Sequence, residues 1–169
     1  MNTKQILQSN NFKFKKKFGQ NFLLDDNILN NIVSLGSLDD DTLVIEIGVG
    51  AAALTKKTSK KAGYVLGYEI DSTLKDPLNE ILKDYNNINI IYDDFLNRNI
   101  KEDIKKYNYK KIVVVANLPY YITTPIITKF IEEKIDVSSI IVMVQNEVAN
   151  RFSASVKTKE YNSLTIFLN

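Results

Sequence analysis

The chain has 169 residues, 44% hydrophobic and 25% charged, with a formal net charge of +2 and neither cysteine nor histidine. That length suffices for the core of one domain or slightly more. The missing residue types exclude disulfides, thiolate nucleophiles and thiolate metal sites, and they remove the commonest general base and metal ligand. Any chemistry must therefore come from carboxylates, amides, hydroxyls, backbone groups or a cofactor with its own reactivity. The charge is unevenly placed. Residues 1–20 hold five lysines (Lys4, Lys13, Lys15, Lys16, Lys17) and no acid, so the rest of the chain carries −3. A basic, aromatic-containing arm on a mildly acidic body suits a polyanionic partner, or a solvated tail. The apolar runs are too short for a membrane span and no secretion signal opens the chain, so the expected location is the cytoplasm.

After the arm come Phe18-Gly19-Gln20-Asn21-Phe22-Leu23-Leu24 and then an apolar-periodic segment through Ile28, Leu29, Ile32, Val33 and Leu35. Asp25 or Asp26 is suited to cap a helix there that stops near Gly36. Residues 42–47 are β-rich and run directly into Gly48-Val49-Gly50-Ala51-Ala52-Ala53-Leu54-Thr55. A strand, a glycine turn and a small-residue helix start form the nucleotide-cofactor signature of an α/β sheet, with an alanine at the third glycine position. Glycines let the backbone approach a ligand closely.

The next strand, residues 64–68, ends in Glu69-Ile70-Asp71. Glu69 lies 21 residues after Gly48, the offset at which an acid reaches ribose hydroxyls, whereas Asp71 suits a cap for the following helix. A third strand, 88–92, ends in Asp93-Asp94-Phe95, where an acid could hold an adenine amino group while the ring covers the base. Residues 111–116 form a fourth strand that delivers Asn117-Leu118-Pro119-Tyr120-Tyr121. A helix over 125–133 follows, with Pro125 in its first turn. A fifth strand at 139–144, a helix at 147–152 and a sixth strand at 161–168 complete the pattern. The alternation predicts a mostly parallel, doubly wound sheet. Four successive strands then end in candidate ligand residues, side by side in one crevice: Gly48 with Gly50, Glu69, Asp94, and Asn117 with Tyr120.

In this order the residues resemble the S-adenosylmethionine-dependent methyltransferases, and more narrowly the ribosomal RNA adenine N6-dimethyltransferase family, related to the erythromycin-resistance methyltransferases. The resemblance is carried by Phe18 to Leu23, Glu46-Ile47-Gly48-Val49-Gly50 with Ala53-Leu54-Thr55, Glu69-Ile70-Asp71, Asp94, Asn117-Leu118-Pro119-Tyr120 with Thr124-Pro125, and Gln145-Asn146-Glu147-Val148-Ala149-Asn150-Arg151. The last of these and Leu118 resemble the small-subunit branch. The resemblance implies a Rossmann-like class I methyltransferase fold, with helices on both faces of the sheet and S-adenosyl-L-methionine as cofactor. Asn21 and Leu23 would lie at the methionine end, Gly48 and Gly50 would let the backbone pass closely, Glu69 would hold the ribose, Asp94 the adenine, and Asn117 would stand between cofactor and target base. The Asn117 amide oxygen and the Leu118 carbonyl would accept from the target amino group, next to Pro119, with Tyr120 stacking on the base. The implied partner is small-subunit ribosomal RNA or the small ribosomal subunit, met by a monomer with no metal and no membrane.

Three departures from the family pattern stand out. Val49 occupies a usual proline position, Tyr121 a usual asparagine position, and the chain ends where a sixth strand would run. The expected organisation is a basic arm over 1–20 and an incomplete catalytic domain over 21–169, the final strand and a C-terminal helical domain missing. Rival readings are a non-enzymatic ribosomal RNA-binding or assembly factor on the same fold, an NAD-dependent dehydrogenase, and a DNA adenine methyltransferase.

Overall fold

The computed structural model describes residues 25–117 and 120–143. Helix α1 (Asp26–Leu35) is capped by Asp25, whose carboxylate accepts from the N–H groups of Asn27 at 2.9 Å and Ile28 at 3.4 Å. These are donors that a helix's first turn otherwise leaves without partners. Strand β1 (Thr42–Ile47), helix α2 (Ala53–Thr58), strand β2 (Tyr64–Tyr68), helix α3 (Lys75–Leu82) and strand β3 (Ile88–Ile91) follow. Helix α4 (Ile100–Ile104), strand β4 (Lys111–Asn117), helix α5 (Tyr120–Glu132) and strand β5 (Ser139–Met143) complete the described chain.

The strands form one parallel sheet in the order β3-β2-β1-β4-β5. The chain steps outward from β1 to β3, then crosses back to lay β4 on the other side of β1. Parallel crossovers are right-handed, so reversing direction forces the helices onto opposite faces. Val44, Val65, Val113 and Val115 accordingly pack on α1 and α2 through Leu29, Ile32 and Leu54. Leu43, Ile45, Leu66, Tyr68, Ile112 and Val114 pack on α4 and α5 through Ile100, Ile104, Ile126 and Phe130. Central strand β1 is buried along its whole length, as a strand covered on both faces must be. Residues Val49, Ala51 and Ala52 of the glycine turn join Leu74, Leu78 and Leu82 in a smaller cluster under α3.

The doubly wound parallel sheet with helices on both faces agrees with the expectation, and β1 and β2 have the expected bounds. Strand β3 stops at Ile91, one residue short, and β4 runs one residue further, to Asn117. The larger difference is α5, which begins at Tyr120, so Pro125 lies inside the helix rather than in its first turn. A proline there forfeits the bond to the carbonyl four residues back. Burial of Ile126 and Phe130 against the sheet holds the helix across that gap. Val144, the basic arm, the helix expected at 147–152 and the strand expected at 161–168 lie outside the described residues. Among the described residues no helix is long and apolar enough to cross a membrane.

Candidate active site

The order β3-β2-β1-β4-β5 reverses direction at β1, and a parallel sheet of this kind opens a crevice beyond its strand ends at that point. Ile47 of β1 pairs with Ala116 of β4. Gly48 and Asn117 therefore follow each other's neighbours directly, and the glycine turn and the Asn117 strand end leave the sheet together.

The glycine turn needs backbone conformations that side chains resist. Gly48 has φ 84° and Gly50 φ 55°, in the left-handed region. Ala52, at φ 58°, extends that geometry to the cap of α2. The turn is fastened to β2 by Glu69. The Gly50 N–H donates to Glu69 Oε2 at 2.8 Å, and the Asp71 N–H donates to Oε1 at 2.9 Å. Glu69 is only 4% exposed. Burial pushes its carboxyl above the usual range, and the N–H donors of Asp71, Gly50 and Ile70 restrain the rise. A carboxylate has about four acceptor positions, more than these N–H groups occupy. Asp71 takes the capping role expected of it, accepting from the Thr73 N–H at 3.1 Å and the Thr73 hydroxyl at 2.6 Å.

Asp94 stands at the tip of the next strand, half-buried, its Oδ1 accepting from the Leu96 N–H at 3.0 Å. Its own N–H donates to Asp93 at 2.8 Å. Arg98 anchors this loop, with Nε and Nη2 donating to Asp103 at 3.1 and 2.6 Å and Nη1 to Asp93 at 3.3 Å. The Tyr68 hydroxyl adds a bond to Asp103 at 3.1 Å. The expectation that Phe95 covers a base is not met. Phe95 is 4% exposed, edge-on to Tyr68 with centroids 5.0 Å apart and 5.4 Å from Phe130. Its ring belongs to the core beneath the sheet, because the short turn capped by Asp94 directs it inward. The exposed apolar group at this edge is instead Ile70, 49% exposed between Glu69 and Asp71, which sequence reasoning passed over.

A second residue went unassigned. Glu46 lies in the middle of β1 and is 2% exposed. Burial raises its carboxyl to about 8, the Glu69 charge adds to the rise, and the Thr55 backbone N–H of α2 moderates it. Glu46 Oε2 and the Thr55 hydroxyl oxygen nonetheless have no hydrogen-bond partner. An acid inside an otherwise apolar buried strand, directly before the glycines, was the signal available in the sequence.

The backbone of Asn117 closes β4, paired with Met143 of β5, and Tyr120 opens α5. Asn21, Leu23, Leu118 and Pro119 lie outside the described residues. Gly48, Gly50, Glu69, Asp94 and Asn117 thus stand at the ends of neighbouring strands.

A parallel sheet in this order, with a glycine turn after β1 and an acid at the tip of β2, is shared with dinucleotide-binding folds, and the solved structures that superpose on it assign it to the class I S-adenosylmethionine-dependent methyltransferases. A crystal structure of a dimethyladenosine transferase from Plasmodium falciparum superposes with TM-score 0.73 at 28% identity, covering 86% of this chain and 50% of that one. The 23S rRNA methyltransferase ErmE superposes with TM-score 0.64 at 29% identity, over 78% and 50%. The chain belongs to the ribosomal RNA adenine dimethylase family, whose model matches residues 11–169. It is 48% identical to Ribosomal RNA small subunit methyltransferase A of Bacillus pumilus over 97% of its own length and 57% of the relative's. The chain therefore spans a little over half the length of the curated relatives it matches.

Proposed function

We propose that the protein transfers methyl groups from S-adenosyl-L-methionine to N6 of adenines in small-subunit ribosomal RNA, forming dimethyladenosine. The observation that carries this reading is the convergence of Gly48, Gly50, Glu69, Asp94 and Asn117 at adjoining strand ends around the reversal in the sheet. The relative from Bacillus pumilus and the dimethyladenosine transferase from Plasmodium falciparum carry names of the same reaction class.

The groups present suit the cofactor. The backbone of Gly48 and Gly50 offers close approach without side chains, Glu69 keeps acceptor positions for vicinal hydroxyls, and Asp94 serves the adenine amino group beside the apolar surface of Ile70. Asn21 and Leu23 take the methionine end. The cofactor, when bound, supplies an activated methyl group, so the protein's task is orientation rather than strong base catalysis. An adenine amino nitrogen is a weak nucleophile because its lone pair is delocalised into the ring. Hydrogen bonds donated by its two N–H groups to the Asn117 amide oxygen and the Leu118 carbonyl would turn that lone pair toward the methyl group, with Tyr120 stacking on the base next to Pro119. The absence of histidine and cysteine is no obstacle to such chemistry. The protein acts as a cytoplasmic monomer on the small ribosomal subunit.

The test is incubation with labelled S-adenosylmethionine and unmethylated small ribosomal subunits, followed by nucleoside analysis. Labelled dimethyladenosine is expected, and Asn117→Ala should abolish it while cofactor-dependent thermal protection persists. Binding to the subunit without any methyl transfer would replace this reading with that of an assembly factor. Full methylation by Asn117→Ala would overturn the assignment of Asn117.

A further inference from the structure

Tyr92 carries a polar group that the proposed chemistry leaves idle. Its hydroxyl oxygen is buried and has no hydrogen-bond partner. Buried polar groups are nearly always paired, because an unpaired one keeps the full cost of leaving water.

The sheet register explains where the residue stands. Tyr68 of β2 pairs with Ile91 of β3, and the Glu69 N–H continues the ladder by donating to the Ile91 carbonyl at 2.9 Å. Glu69 and Tyr92 are thus the next pair beyond the two strand ends. Side chains alternate along a strand, so both fall on the face that Gly67 and Ile90 share two residues earlier. Tyr92 keeps to that alternation, packing with Ile88 and Ile90 on the cluster that contains Val49, Ala51 and Ala52 of the glycine turn. Its ring therefore lies against the turn that Glu69 braces through the Gly50 N–H.

Two negative charges act on the phenol. Burial pushes it up to about 12, and Glu69 and then Asp76 add to the rise. Across the neutral range the hydroxyl keeps its proton and remains a donor. Asp76 is exposed, so water supplies its hydrogen bonds. Glu69 is buried, and a ligand laid over it removes the solvent from its open side. Burial favours the neutral acid, and only further donors keep such a group charged.

We propose that Tyr92 is a positioning residue for the ribose: once a nucleoside covers Glu69, the Tyr92 hydroxyl donates to the Glu69 carboxylate and keeps it an acceptor for both ribose hydroxyls. Tyr92 acts through Glu69 and not on the reacting atoms. The inference rests on Glu69 holding the ribose in the proposed function. It gives a reason for a hydroxyl where a phenylalanine ring would pack without an unpaired donor.

The experiment is calorimetric titration of the natural chain, Y92F and the control Y85F with S-adenosylhomocysteine and with its 2′,3′-dideoxy analogue. Tyr85 packs on the same cluster. Y92F should bind S-adenosylhomocysteine about tenfold more weakly, the worth of one hydrogen bond to a charged group. It should lose little affinity for the dideoxy analogue, which makes no demand on the Glu69 charge. Without ligand its thermal midpoint should equal or exceed that of the natural chain, since the deleted hydroxyl is unpaired there. Y85F should match the natural chain with both ligands. Equal affinity of Y92F and the natural chain for S-adenosylhomocysteine would overturn the role of Tyr92 and leave the methyltransferase reading intact. Equal losses for both ligands with a lowered midpoint would do the same, marking Tyr92 as a packing residue. A natural chain that binds the two ligands equally would overturn the ribose role of Glu69, and one that binds neither would overturn the cofactor assignment; the inference falls with either.

Discussion

Replacing Glu46 by glutamine should stabilise the protein, increasingly so as the pH rises. The folded chain holds the Glu46 proton up to about 8, because burial in β1 disfavours the charge, whereas an ordinary glutamate releases it near 4.5. Below 4.5 both folded and unfolded chains are protonated there, and Glu46 adds no pH dependence. Between 4.5 and 8 the unfolded chain has lost a proton that the folded chain retains. Stability contributed by the neutral carboxyl therefore falls by about 1.4 kcal/mol per pH unit across that window. The accumulated loss is about 5 kcal/mol by pH 8, comparable to the lower end of whole-domain stabilities. Glu46→Gln keeps the size of the side chain and removes the titration, and Glu69 is present in both proteins and cancels in the difference. Urea unfolding at pH 5 and pH 7.5 should show the midpoint difference between variant and natural chain widening by roughly 1 to 2 M, for a urea slope near 2 kcal/mol/M. A constant separation across this range would refute the claim that the folded state keeps Glu46 neutral.

Other substitutions probe the supports of the crevice. A methyl at Gly67 would meet Val49 Cγ2 at 2.5 Å and Ile90 Cδ1 at 2.6 Å, so Gly67→Ala should cost about 1 to 3 kcal/mol and weaken S-adenosylmethionine binding through Val49, as calorimetric titration would show. Gly63→Ala should be worse, because its methyl would lie 2.0 Å from the Asp40 carbonyl oxygen, and backbone cannot rotate aside; a large fall in thermal midpoint is expected with no specific loss of cofactor affinity in the surviving folded fraction. Arg98→Gln removes the forked contact to Asp103, whose side chain is 7% exposed, and should lower stability by about 1 to 3 kcal/mol. Because Arg98 also holds Asp93, the variant should bind cofactor more weakly in the same titration.

Much of this architecture was legible because its signals are local. The acids after β2 and β3, the glycine pair after β1 and the Asp25 cap each declare themselves within a few residues. What escaped depends on contacts between distant segments. Phe95 reads as a ring beside a ligand-binding acid, yet Tyr68 and Phe130 draw it into the core. Glu46 reads as part of a strand motif until β2 and β4 close around it. Pro125 reads as a helix opener, since proline is at home in a first turn, but packing on the sheet carries α5 back to Tyr120. Val49 reads as one residue of a glycine turn, and its fit against β2 emerges only through Gly67, whose missing side chain makes room for it.

The bond from the Gly50 N–H to Glu69 has a consequence for how the crevice can change over time. One carboxylate braces the turn between two strands and, in the proposed function, holds the ribose, so a substitution that altered sugar preference here would also loosen the scaffold that presents it. A change of ligand preference is more readily made at a neighbour without that second duty, such as the exposed Ile70, than at position 69. An acid at this strand tip is accordingly a marker of shared architecture, and a weak witness to shared activity.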